Sequence, residues 1–226
     1  MRPTHRLMYV VSAASVAALV VSCASAPKIG PMSFFVTSVN PGDGANLGGL
    51  AGADAHCQKL ASAVGAGSRA WRAYLSTGFI PPSTAAVHAR DRIGKGPWFN
   101  QKGVLIASNV AELHGDKNNV NKETALSEKG TVANDRSKQP NQHDILTGTR
   151  PDGSAPPSYP NQPDMTCGEW TKNGAGSAIV GHFDRSGPSQ DPWAVSWNSS
   201  HNTAGCGKDD LPKTGGAGLF YCFAAD

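Results

Sequence analysis

Within ten residues, Trp193, Trp197, Asn198, His201 and Asn202 bring together two indole rings, two amides and an imidazole, with His182, Asp184 and Arg185 shortly upstream. An indole stacks on the apolar face of a sugar ring while amides and charged groups pair with its hydroxyls. This cluster is therefore the candidate ligand site, and a carbohydrate the candidate ligand. The competing reading packs one tryptophan into the core and uses the polar groups to cap loops. A second set, His143, His182 and His201 with Asp144 or Asp184, has the residue types of a transition-metal site. None of these histidines shows a short ligand spacing such as His-x-x-x-His, so no metal is expected.

Motifs for catalysis are missing. The chain has no Gly-x-Ser-x-Gly elbow, no His-Glu-x-x-His and no phosphate-binding loop. Serine and aspartate are so frequent that a Ser/His/Asp set chosen from them carries no information. The expectation is a protein that is not an enzyme.

Positioning such a site requires a framework, and the framework is most legible in Leu47–Thr77. Ala53, Cys57, Leu60, Ala61 and Val64 fall at helical spacing, and Gly65 and Gly67 stop the helix. Trp71, Ala73 and Leu75 then alternate with Arg72 and Tyr74, the period of a half-buried strand. Phe34–Ser38 reads as a first strand, and Ser108–Leu113 as a short helix start with Asn109 as cap and Glu112 three residues on. Ala178–Phe183, Ala194–Trp197 and the apolar Leu219–Phe223 read as further strands. Gly115–Pro140, polar and poor in large apolar residues, reads as a surface excursion. Arg90, Arg92 and Lys95 in His88–Trp98 read as a solvated loop holding one or two ion pairs.

At the N-terminus, Arg2, His5 and Arg6 precede an apolar run, Leu7–Val21, that is short for a spanning helix and reads as a signal peptide. Val20-Val21-Ser22-Cys23 resembles a bacterial lipobox, which implies cleavage before Cys23 and lipidation of its thiol. Ordinary cleavage after Ala24 or Ala26 competes. The division expected is a signal peptide over 1–22, a tether over 23–32 and one domain over 33–226. Ala24 after the lipidated cysteine favours the outer membrane, by similarity to lipoprotein sorting rules.

Export puts the domain where cysteines pair. With Cys23 lipidated, Cys57, Cys167, Cys206 and Cys222 remain for two bridges, and four cysteines allow three connectivities. Loss of the signal removes two arginines and no acid, taking the formal charge from +3 to +1. A near-neutral exported domain is a poor partner for nucleic acid. With 26 Gly and 16 Pro in 226 residues, a loop-rich domain held by disulfides is expected rather than one of long helices.

The order of these elements resembles the C-type lectin-like fold, in particular the endostatin domain of certain collagens. The resemblance is carried by Gly48-Gly49, Gly52-Ala53-Asp54, Cys57, Ala63-Val64-Gly65, Arg72-Ala73-Tyr74-Leu75-Ser76, the Ser108–Leu113 helix start, Gly148 with Asp152-Gly153, Cys167-Gly168-Glu169-Trp170, Cys206 and Cys222. It implies an α+β domain with two helices, a twisted and mostly antiparallel sheet, long loops, and nested bridges Cys57–Cys222 and Cys167–Cys206. The family's N-terminal zinc histidines have no counterpart, since no His lies between Ala24 and Ala55. Trp197-Asn198-Ser199 is similar to one calcium-binding triplet of sugar-binding lectins, with Ser for Asp, but the other triplet is missing, so calcium is unsupported and no cofactor is expected. The function expected is a non-catalytic cell-envelope binding or adhesion module. Its ligand-binding residues would be Trp193, Trp197, Asn198, His201, Asn202, Asp184 and Arg185, its partner a carbohydrate, and its membrane anchor Cys23. The alternative is a protein- or matrix-binding envelope lipoprotein; an exported hydrolase ranks third.

Overall fold

A computed structural model describes residues 29–78, 85–157 and 163–226. The expected signal peptide over 1–22 and Cys23 lie outside the described residues. Of the expected tether, residues 29–32 are described, and Ile29 and Gly30 pair with Val104 and Gly103.

The domain is α+β, with three helices, eight strands and two disulfides among the described residues. The spine is the last strand, β8 (Gly216–Ala224). It pairs antiparallel with β1 (Phe34–Val36) and β2 (Trp71–Ala73), and parallel with β5 (Asp144–Leu146). β6 (Ile179–His182) pairs antiparallel with β5, and β7 (His201–Asn202) with β6. A separate hairpin joins β3 (Trp98–Phe99) to β4 (Leu105–Ala107).

The uninterrupted apolar run of β8 is what a strand buried on both faces requires. Phe220, Cys222 and Ala224 face one cluster with Phe35, Trp71, Leu146, Trp170 and Val180. Leu219, Tyr221 and Phe223 face the other, with Phe34, Tyr74, Trp98, Ile145, Phe183 and Trp197. Helix α1 (Gly49–Ala63) covers the first face with Ala53, His56, Cys57, Leu60 and Ala61. The helix stops one residue earlier than expected, leaving Val64 exposed, and Gly65 takes the left-handed turn (φ 83°) that ends it. β2 keeps the expected alternation over Trp71–Ala73, with Trp71 and Ala73 inside and Arg72 out, but ends there, and Tyr74, expected on the outer side, is fully buried like Leu75.

Cys57 is bonded to Cys222 and Cys167 to Cys206, so the outer bridge pins α1 to the spine across 165 residues and the inner one closes 39. Helix α2 (Val110–Leu113) is capped as expected, Asn109 Oδ1 accepting from Glu112 N at 2.9 Å. A third helix, α3 (Cys167–Trp170), was not among the two expected. It is a single left-handed turn, with φ between 48° and 68° at all four residues, a conformation that costs about 1–2 kcal/mol per non-glycine residue. Trp170 Nε1 donates to Ser76 O at 2.8 Å and the buried ring holds the turn in place.

Two loop expectations need correction. Thr124–Glu128, inside the supposed surface excursion, is buried. The outer edge of β1 needs a partner, and Val36 N donates to Leu126 O at 2.9 Å. Ala194–Trp197 is a turn rather than a strand, with Ala194 N bonded to Asp191 O. The ion pairs expected near Arg90 and Arg92 are present, to Asp152 at 3.1 Å and to Asp54 at 2.7 Å. Arg92 is not solvated, however, being 12% exposed.

Candidate functional site

The polar centre of the molecule sits where β5, β6 and β7 end. Asp144 opens β5 directly opposite His182, the last residue of β6. Residues facing each other across an antiparallel pair share a face. His201 on β7 opposes Val180, two residues before His182, which puts it on that face as well. The sheet register thus gathers Asp144, His182 and His201 from positions scattered over 58 residues. His143, just before the strand, stacks its ring on His182 with centroids 4.2 Å apart. Gly216 lies beside Asp144 on the spine, where a Cβ would stand 3.4 Å from that of Asp144.

Asp144 Oδ1 lies 3.2 Å from His143 Nε2, 3.3 Å from His182 Nε2 and 3.5 Å from His201 Nε2. His182 Nε2 and His201 Nε2 are 3.0 Å apart. The Asp144 side chain is fully buried, and neither oxygen has an aligned hydrogen-bond donor. Each outer ring nitrogen has its own acceptor: His143 Nδ1 has Asp184 Oδ1 at 3.1 Å, His182 Nδ1 has Ala194 O at 2.8 Å, and His201 Nδ1 has Asn202 O at 3.1 Å. Asp184 also accepts from Arg136 N and Ser186 N at 2.9 and 3.0 Å.

Burial pushes the Asp144 carboxyl up, but the imidazoles of His182 and His201 beside it outweigh burial and leave it below its ordinary value. Burial likewise acts on Asp184 and is outweighed by His143 and the Arg136 and Ser186 amides. The carboxylate of Asp144 raises His201 above its usual range against the effect of burial. Both acids are therefore held as anions in a largely dry site. His143, Asp144 and His182 each offer one ligand atom within 4.8 Å of the others, a donor set suited to a metal ion.

The sequence-predicted residues divide into three groups. Asp184 and His201 join the cluster. Trp193 and Asn202 stand outside it at the surface, Trp193 being 48% exposed. Trp197 and Asn198 are consumed by the fold, which corrects the expectation that they face a ligand, whereas Arg185 is half-buried and lines a surface cleft beside Asp184. Trp197 is 3% exposed, its ring 5.0 Å from that of Tyr74 and 5.3 Å from that of Tyr221. Asn198 spends its amide hydrogens on Tyr74 Oη, Arg150 O and Pro151 O. Arg185 donates to Val120 O, Val195 O and Asn118 Oδ1, tying two loops together.

Beside Asp184 the surface opens into a polar cleft of about 350 Å³, lined in part by Lys122, Glu123, Asp135, Arg136, Ser137 and Ser186. Sequence reasoning named His143, Asp144 and His182 but gave them no weight, since ligand spacing along the chain was the criterion. The usable signal was a His-Asp pair opening one strand and a His-x-Asp closing the next. Among the described residues no helix is long and apolar enough to cross a membrane, and the two disulfides are of the kind an oxidising compartment sustains. Compared with known proteins, the chain matches no family model and no curated protein.

Proposed function

We propose that the chain is a non-catalytic binding module of the cell envelope, of the C-type lectin-like type, and that it takes carbohydrate. The observation that carries this reading is Trp193. The other four tryptophans are buried, whereas Trp193 is about half exposed. An indole left half in water is able to stack on the apolar face of a sugar ring. Trp193 belongs to the loop that starts at Asp184, and that loop also borders the cleft with its hydroxyl, ammonium and carboxylate groups. An indole face, together with a cleft whose hydrogen-bonding groups of both signs come from residues 121–123, 135–137 and 184–186, suits a sugar.

The lectin-like assignment draws support from the nested disulfides, from α1 bonded to the last strand, and from the pairing of both ends of the domain on β8. Attachment through a lipidated Cys23 and an outer-membrane location are part of the same proposal. Metabolic labelling with a fatty-acid analogue, compared between the native chain and Cys23→Ala, tests the anchor.

A glycan array probed with the mature domain and with Trp193→Ala tests the ligand. Glycan binding weakened by roughly 30-fold in the variant is expected for an aromatic anchor worth about 2 kcal/mol. No glycan bound, or binding unchanged by the substitution, removes carbohydrate as the ligand and leaves a protein or matrix partner as the alternative.

A further inference from the structure

The geometry points to a tetrahedral site for a divalent transition-metal ion of the zinc class, with His143, Asp144, His182 and His201 as its four ligands.

Three features of the cluster are unexplained by packing and are resolved together by one cation. The first is tautomeric. Carbonyl and carboxylate oxygens only accept, so the Nδ1 atoms that meet Asp184, Ala194 O and Asn202 O carry hydrogen. The neutral rings then turn bare Nε2 lone pairs inward. Fixing the outer nitrogen on a carboxylate or carbonyl is how metal-bound histidines are oriented.

The second is repulsion. Two such lone pairs face each other at 3.0 Å across His182 and His201, and a third, on His143, faces Asp144 Oδ1 at 3.2 Å. A single proton on His201 relieves one of these contacts and leaves the other. The third is the Asp144 carboxylate, fully buried with no aligned donor on either oxygen. An ion in that state costs several kcal/mol unless a cation compensates it.

The spacing fits. Ligand bonds of about 2.0–2.2 Å in a tetrahedron put donor atoms about 3.3–3.6 Å apart. Four of the six donor separations run from 3.0 to 3.5 Å; His143, Asp144 and His182 form the group whose ligand atoms all lie within 4.8 Å of one another, and His201, at the exposed edge, completes the sphere by a shift of its ring. The donor chemistry also selects the ion: three imidazoles and one carboxylate suit zinc, whereas calcium wants six to eight oxygens. The charge balances too, because Asp144 and the supporting Asp184 supply two negative charges. His201, 30% exposed in its side chain, leaves a route from solvent. Four protein ligands close the coordination sphere, so the ion's role is to lock β5, β6 and β7 together, and no metal-bound water is left for chemistry.

The test uses the oxidised mature domain. Elemental analysis after dialysis into metal-free buffer is expected to find about one zinc per chain, and Co²⁺ added to chelator-treated protein should give the visible absorption of tetrahedral cobalt. Zinc affinity, measured by competition with a chromophoric chelator, should fall by roughly 100-fold or more in His182→Ala and by roughly 10- to 100-fold in Asp184→Asn, which touches no proposed ligand atom but weakens the support of His143 together with the Arg136 and Ser186 amide contacts. Should His182→Ala fail to fold, Asp144→Asn, an isostere, and His201→Gln, at the exposed edge, carry the test. Folded wild-type protein that retains no zinc and leaves the cobalt spectrum unchanged overturns the assignment. So does native zinc affinity in Asp144→Asn and His201→Gln.

Discussion

Asp54 and Arg92 hold the strand β2 by the N–H and the C=O of one residue, Ala73, and removing either should cost more than any surface ion pair. Asp54 Oδ1 accepts from Ala73 N at 2.9 Å, and both its oxygens meet Arg92 Nη2 at 2.8 and 2.7 Å. Arg92 Nη1 in turn donates to Ala73 O. The side chains are 15% and 12% exposed, close to the buried limit, where breaking a pair costs about 3–5 kcal/mol because the remaining charge is stranded. Residual contact with water and the second cation beside Asp54, Arg72 Nη1 at 3.4 Å from Oδ2, lower this, so about 3 kcal/mol is expected for Arg92→Met. Asp54→Ala should cost about 1 kcal/mol more, because it also leaves the Ala73 amide without its acceptor. For a domain of this size, 3 kcal/mol corresponds to a melting temperature lower by roughly 6–12 °C. The combined variant Asp54→Leu with Arg92→Met removes both charges and should be less damaging than the sum of the singles by about 1.5 kcal/mol or more. Guanidinium unfolding followed by tryptophan fluorescence, with disulfides intact, measures all four corners. Singles that cost under about 0.5 kcal/mol, or that simply add, refute the clamp.

Trp197→Ala should destabilise by about 3–5 kcal/mol as a core truncation, while Trp193→Ala should stay within about 0.5 kcal/mol; equal costs in the same unfolding assay would contradict their placement. Replacing Cys57 and Cys222 by alanine should remove up to about 5 kcal/mol, and replacing Cys167 and Cys206 up to about 4, on chain-entropy grounds. Comparison of denaturation midpoints checks the order, and a larger loss from the inner bridge would reverse it. His56 and His114 both titrate below their ordinary 6.5, each because burial disfavours the charged ring. The unfolded chain therefore takes up protons first, so their contribution is full above about pH 6.5 and declines as the pH falls below it. Melting temperature should drop between about pH 7 and pH 5, less steeply in His114→Gln, and a flat profile in the native chain would exclude this linkage.

What could be read from the sequence was what one element states about itself. The α1 stripe up to Ala61, the alternation over Trp71–Ala73 and the Asn109 cap are local patterns that stand where their spacing puts them. The reading failed where a residue's environment is set by a distant partner. Trp197 looked like a ligand platform because its neighbours are polar, yet Tyr74, just after β2, and Tyr221, on β8, enclose it. Thr124–Glu128 looked solvated because the free edge of β1 that it covers is almost ninety residues upstream. The histidine cluster is the same lesson in reverse: its members are unremarkable along the chain and meet only through the β5–β6–β7 register.

The pairing on β8 also gives the molecule a direction. Ala224 N donates to Ser33 O, so the first strand enters beside the end of the last one. Gly216, at the far end of that same strand, lies against Asp144. Eight residues of strand separate these points by about 25 Å. The beginning and the end of the described domain therefore lie together at the pole opposite the histidine cluster, and a label fused after Asp226 would report on that pole rather than on the cluster.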